Sequence, residues 1–283
     1  WRGASDFAID PVMTGWTLND IPWSRFDGAA VDADLLAVVK TAALVEANAA
    51  DYVTYLTGVF AGDPVFLAEI ERWGVEERQH GAVLGRWAEL ADPRFDFARA
   101  LADFRAGFQV PQGLDRSIRG SRCGELVARQ VVETGTSSFY SAIRDATAEP
   151  VLHAIAGRIA ADEFAHYRLF ASHFARYQAA APVPLRTRLK VAATRFSEAD
   201  DDELGWAWFA ANVLPHDRAA RYERRYTRAY GVRALRLYRR RHIDSGMRML
   251  LRAVALRPNG VLFRIGSAVM WQLLRLRVAT GAA

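Results

Sequence analysis

The chain holds one cysteine, Cys123, in 283 residues. That excludes a disulfide framework, a four-cysteine metal ribbon and an iron–sulfur centre built within it. A reducing cytoplasm suits such a composition, and a cytoplasmic location is expected. Alternating apolar–polar runs bounded by hairpin turns are missing, so a β architecture is not expected. No glycine-rich fingerprint for a flavin or nicotinamide is present. Acidic residues run out toward the end. From Pro215 onward there are 16 Arg and no Lys against Asp217, Glu223 and Asp244, a net +13 within a chain of +5, so the preceding residues carry −8. A basic region this dense suits an acidic protein, an anionic membrane or another polyanion, the plainer reading being an Arg-rich solvated helix face. Nucleic acid is not among the expected partners.

What is present is helix. Hydrophobic residues make up 51% of the chain, enough to bury a large core. A Gly-, Pro- and Trp-rich arm occupies the start, as far as residue 30. A first long helix is expected from a cap at Asp32 or Asp34 to about Leu56. A second starts at Asp63-Pro64, where Asp caps and Pro fits the first turn, and stops at Asp92-Pro93. A shorter helix over Arg94–Gly107 and a loop over Val110–Gly120 lead to a third long helix, Ser121 to Asp145. The fourth follows Glu149-Pro150 and runs to about Gln178. Four long helices with a long connection between the second and third predict an all-α four-helix bundle with one crossover, over residues 31–180. Additional helices, punctuated by Pro215, Gly231 and Pro258-Asn259-Gly260, should pack outside it over residues 181–283.

The chemistry-bearing pattern is a repeated Glu-x-x-His. The first half of the bundle carries Glu46, then Glu77 and His80; the second carries Glu133, then Glu163 and His166. Residues three apart share a helix face, so Glu and His of one motif can grip one ion while a lone Glu reaches in from the neighbouring helix. Four carboxylates and two imidazoles balance two divalent cations, and oxygen and nitrogen donors without thiolate suit iron, with manganese as a substitute. A single such motif is more often an exposed pair; two copies, each with its upstream glutamate in an apolar helical run, point to a carboxylate-bridged dimetal centre that activates dioxygen. Glu76 and Asp162, each just before a motif glutamate, are placed to hold the histidines from behind. His153 and His173 are expected in core or supporting roles, Trp73, Phe139, Tyr140 and Phe170 in the core, and Cys123 as structural.

These motifs resemble the soluble acyl-ACP desaturases, ferritin-like di-iron enzymes. Glu76-Glu77-Arg-Gln-His80-Gly81 is similar to that family's Glu-Glu-x-x-His-Gly segment, and Ile159-Ala-Ala-Asp162-Glu163-Phe-Ala-His166 to its Ile-Ala-Ala-Asp-Glu-x-x-His segment. Glu133-Thr-Gly-Thr136 fits its third-helix pattern. The resemblance covers residues 31 to 178. It implies iron ligation by Glu46, Glu77, His80, Glu133, Glu163 and His166, a catalytic hydroxyl at Thr136 beside the oxygen-binding face, and Asp162 behind a ligand histidine. It implies too a ferredoxin-like electron donor and an acyl carrier protein, which the basic region could dock. Related bundles dimerise, so a homodimer is also expected. Two departures bear on substrate: Ala47 follows Glu46 where plant members carry a second glutamate, and Tyr140 stands where they carry a histidine.

Rival readings keep the metal and change the outcome: a hydroxylase or N-oxygenase acting on a lipid or small molecule, or a ferroxidase. Storage ferritins are compact, whereas about 100 residues follow the bundle here. Val261–Val278 is apolar but too short in its uninterrupted part to span a bilayer. It is expected either to lie on an anionic membrane surface, with Trp271 at the interface and contact made through residues 258–283, or to pack against the bundle.

Overall fold

The computed structural model describes residues 15–111, 113–197 and 202–281; the first 14 residues of the N-terminal arm lie outside the described residues. Among them the chain is all-helical, with no strand. Each long helix begins at a side chain the sequence supplies. Asp32 accepts from the Leu35 amide to start α1 (Ala33–Ala47), and Asp63 accepts from Phe66 to start α3 (Pro64–Ala91). Ser121 accepts from Gly124 at α5 (Arg122–Ala146). Glu149 accepts from Val151 and Leu152 at α6 (Pro150–Ala180). These carboxylates and hydroxyls satisfy amides that have no partner within the first turn.

The first long helix is not continuous, contrary to expectation. It breaks at Asn48, and α2 (Ala49–Val59) resumes beyond. Arg105 of α4 (Phe97–Gly107) sits at the break: its guanidinium donates to the Ala47 carbonyl at 2.9 Å, which a regular helix would give to the Asp51 amide, and to Asn48 Oδ1 at 3.2 Å, while the Asp51 amide turns to the Asn48 carbonyl. Opposite the break, Gly81 lies so close to α1 that a Cβ there would stand 2.6 Å from the Ala47 nitrogen.

Two apolar cores sit at the two ends of the bundle, with a polar layer between. One contains Val38, Leu44, Val83, Trp87, Ile143 and Ile155; the other contains Leu56, Phe66, Ile70, Leu126 and Phe170. Following the chain through them fixes the topology. α1/α2 and α6 run from the first core to the second, whereas α3 and α5 both run back the other way. Successive long helices that are parallel need a connection spanning the bundle, and residues 92–121, containing α4, supply it.

The later helices pack outside this bundle. α7 (Leu185–Ser197) and α10 (Arg240–Ala253) lie on α5, and α8 (Asp202–Asn212) lies on α1 and α4. Gly231 does not interrupt α9 (Arg225–Arg236), which runs straight through it. Pro258-Asn259-Gly260 does separate α10 from α11 (Val261–Gly281), and Gly260 takes the positive φ of 89° that the turn requires. Much of the basic region is used internally: Arg218 pairs with Asp103, Arg233 with Asp34 and Arg241 with Asp145. No helix among the described residues is long and apolar enough to cross a membrane.

Candidate metal centre

The polar layer is where the six candidate ligands meet. Glu46 comes from α1, Glu77 and His80 from α3, Glu133 from α5, Glu163 and His166 from α6, and none is more than 7% exposed. They form two groups, Glu46–Glu77–His80–Glu163 and Glu77–Glu133–Glu163–His166, in each of which one donor atom per residue lies within 4.8 Å of the others. Glu77 and Glu163 belong to both. The glutamates of the two Glu-x-x-His motifs are therefore the shared carboxylates, while Glu46 and Glu133 each serve one side.

Both imidazoles turn Nδ1 inward. His80 Nδ1 stands 3.2 Å from Glu163 Oε1 and 3.7 Å from Glu46 Oε2; His166 Nδ1 stands 3.0 Å from Glu77 Oε1 and 3.9 Å from Glu133 Oε2. Neither nitrogen makes a hydrogen bond, nor do Glu133 Oε1 and Glu163 Oε1, although all four are buried. Buried polar atoms left in this way are costly unless something fills the space they face, and donors of this set fit a metal ion.

Behind the ligands the support is reciprocal. His80 Nε2 donates to Asp162 at 3.0 Å and His166 Nε2 to Glu76 at 2.7 Å, so the carboxylate next to each motif holds the histidine of the other. This leaves each Nδ1 as the free acceptor. Trp16 adds to the first of these: its indole N–H donates to Asp162 at 2.7 Å and its ring stacks on His80 with 6.1 Å between centroids. Tyr140 donates to Glu46 at 2.5 Å, and Thr136 to Glu163 at 2.5 Å. Thr136 thus touches a shared ligand. Trp73 sets its ring edge-on to His166, and Phe139 and Phe170 are buried in the core.

The other candidates lie away from the centre. His173 pairs with Glu69 and Arg176, and His153 is exposed with Nδ1 against the Arg144 carbonyl. Cys123 is buried and free. Trp16 was not identifiable from the sequence, since its contacts are with residues far along the chain and nothing local marks it.

Without a cation the charges are badly matched. Burial, then repulsion from Glu163 and a further carboxylate (Glu46 for Glu77, Glu77 for Glu133), pushes Glu77 and Glu133 well above the usual carboxyl range. Burial also opposes charge on His80, but the carboxylates Asp162, Glu163 and Glu46 outweigh it and raise the imidazole well above its ordinary value; His166 rises for the same reason, chiefly through Glu76. Burial would raise Glu163 too, yet the two imidazoles hold it down at about 2. The cluster draws in positive charge, which metal ions would supply.

Fold and site together define an all-helical bundle with a buried carboxylate–histidine cluster able to hold metal ions. No protein-family model and no curated protein matches the chain.

Proposed function

We propose that this chain is a ferritin-like di-iron oxidoreductase that uses dioxygen, and that it inserts a double bond into a carrier-bound acyl chain. The observation that supports this most is the sharing of Glu77 and Glu163 between two four-residue groups, which is what a carboxylate-bridged pair of ions needs. Four carboxylates and two neutral imidazoles make the site neutral with two divalent ions, and the all-oxygen-and-nitrogen donor set suits iron or manganese. When bound, an iron pair supplies the reduction of dioxygen and an oxidant able to take hydrogen from an unactivated methylene.

The side chains do the rest. Glu46, Glu77, His80, Glu133, Glu163 and His166 would hold the ions, with Asp162 and Glu76 fixing the imidazole tautomers. Tyr140 and Thr136 orient Glu46 and Glu163. Trp16, Trp73 and the two apolar cores keep water from the layer. In the net reaction two hydrogens leave adjacent carbons, and dioxygen takes them with two electrons and two protons from outside to give two waters. The electrons require a donor of the ferredoxin class, and the basic C-terminal region offers a dock for an acidic acyl carrier. A second reading keeps the same centre and hydroxylates the substrate, and product analysis separates the two.

The test is to incubate reduced, iron-loaded protein with a panel of acyl thioesters under oxygen and analyse products by mass spectrometry. The desaturase reading expects a product two hydrogens lighter; the hydroxylase reading expects one oxygen heavier. Unchanged acyl chains with iron oxidised in the process would assign a ferroxidase instead.

A further inference from the structure

Helix α11 is apolar on both sides. Its inward side carries Gly266 and Ser267 together with half-buried Phe263, Met270, Trp271 and Val278, so Trp271, expected at a membrane interface, is not on the outward stripe. Ser267 is fully buried and donates to Asp244. A Cβ on Gly266 would meet Met247 Sδ at 3.0 Å, and Gly281 lies against Val232. Leu274 is the one large aliphatic of α11 that is buried. Its outward side carries Val261, Leu262, Ile265, Val269, Leu273 and Leu276, exposed by 51 to 69%. At 3.6 residues per turn these six fall within an arc of about 120°. Together they leave on the order of a few hundred Å² of aliphatic surface in water, interrupted by exposed Gln272 and as much as the largest patch of a typical monomer, which marks an interaction surface.

The edges of this stripe are cationic. Arg264 and Arg275 fall along one side of it and Arg277 along the other. Residues 245–283 contain six Arg and no acidic residue. Whereas Arg218, Arg233 and Arg241 are paired with bundle carboxylates, no described carboxylate is in ion-pair contact with Arg264 or Arg275. Exposed Arg248, Arg252 and Arg257 lie just before the helix and extend the positive field. An apolar stripe flanked by Arg suits one environment above others: aliphatic side chains enter the acyl region while guanidinium groups reach back to phosphate. A second copy of the chain suits it poorly, because pairing two α11 stripes would bring like-charged edges together.

We propose that α11 is an interfacial helix that seats this protein on an anionic lipid bilayer, lying in the plane of the surface with its Val261–Leu276 stripe in the acyl boundary. This goes beyond the oxygen chemistry and does not depend on it.

The full chain is mixed with vesicles of phosphatidylcholine alone, or with one third phosphatidylglycerol, and floated on a density gradient. It should float with the anionic vesicles at least tenfold more than with neutral ones, and be released by about 0.5 M salt. Ile265→Gln, Val269→Gln and Leu276→Gln combined should abolish flotation with the melting temperature unchanged, since all three side chains already face solvent. Arg264→Gln with Arg275→Gln should weaken binding by more than tenfold, each charge counting for about fivefold. Absence of flotation by the unaltered protein overturns the proposal, as does flotation that survives the stripe variant. A dimer by light scattering that the stripe variant converts to monomer, with no vesicle binding, also overturns it and assigns the stripe to a second copy.

Discussion

His80 and Asp162, 82 residues apart, meet across the bundle with 3.0 Å between Nε2 and Oδ2, and the His166–Glu76 pair repeats the relationship in reverse at 2.7 Å. Each carboxylate thereby fixes the ring of the opposite motif, and the two hairpins cannot orient their ligands independently. Asp162→Asn should lower metal affinity by roughly 10- to 100-fold. Competition with a chromogenic chelator measures this, and circular dichroism checks that helix content is retained. Glu76→Gln should act similarly on the other ion. Wild-type affinity in both variants would mean the ring orientation is set elsewhere.

The shared and single glutamates should differ in stoichiometry. Glu46→Gln or Glu133→Gln removes a ligand from one group alone, so one ion per chain should be retained. Glu77→Gln or Glu163→Gln removes a ligand from both groups, and binding of both ions should weaken together. Elemental analysis after equilibrium dialysis separates these outcomes. Equal losses in all four variants would contradict the assignment of Glu77 and Glu163 as the shared pair.

Gly81 allows α3 to press against the backbone of α1 beside Glu46. Gly81→Ala brings a methyl against the Ala47 backbone, which cannot yield as a flexible side chain would. The helices must separate, at a cost of about 1–3 kcal/mol. A lowered midpoint in urea and weakened metal binding are both expected. The usual gain in helix propensity from Gly to Ala, about 1 kcal/mol, should be outweighed.

Asp63 provides the pH signature of the fold. Burial would raise its carboxyl, but Arg176, Tyr177 and the Phe66 amide outweigh that and hold it at about 2, against an ordinary 3.8. A depressed acid stabilises the fold above its unfolded pKa, and that contribution is lost as pH falls from about 4 to about 2. Asp63→Asn should therefore cost about 1–2 kcal/mol near neutrality and progressively less through this window. Melting curves of both proteins between pH 2 and pH 7 check it; a gap that stays constant down to pH 2 would contradict the role given to the carboxylate.

The parts of this molecule that could be read from sequence are those fixed locally. Asp32, Asp63, Ser121 and Glu149 act on amides two or three residues away, so the helix starts could be placed to within a residue or two. The three-residue spacing within each motif likewise puts Glu77 with His80 and Glu163 with His166 on common faces. What escaped reading depends on distant partners. The break at Asn48 is met by Arg105, which is 57 residues away. Trp16 finds its role through Asp162, 146 residues further on, and through the His80 ring. Glu149 looks like a simple cap, yet it is fully buried and also accepts from the Trp87 indole at 2.7 Å. α11 is apolar on both sides, with Phe263, Met270, Trp271 and Leu274 turned in and the Val261–Leu276 stripe turned out, so the sequence pattern gives an apolar helix but not which side stays in water.

The central claim is that six side chains from four helices hold two metal ions in one shared site. Its most direct measurement is anaerobic titration of metal-free protein with ferrous iron, followed by Mössbauer spectroscopy after exposure to oxygen. The account predicts two irons bound per chain, becoming a pair of ferric ions with a diamagnetic, exchange-coupled ground state. Iron that saturates at one per chain or below, or two irons that remain magnetically independent, would contradict it.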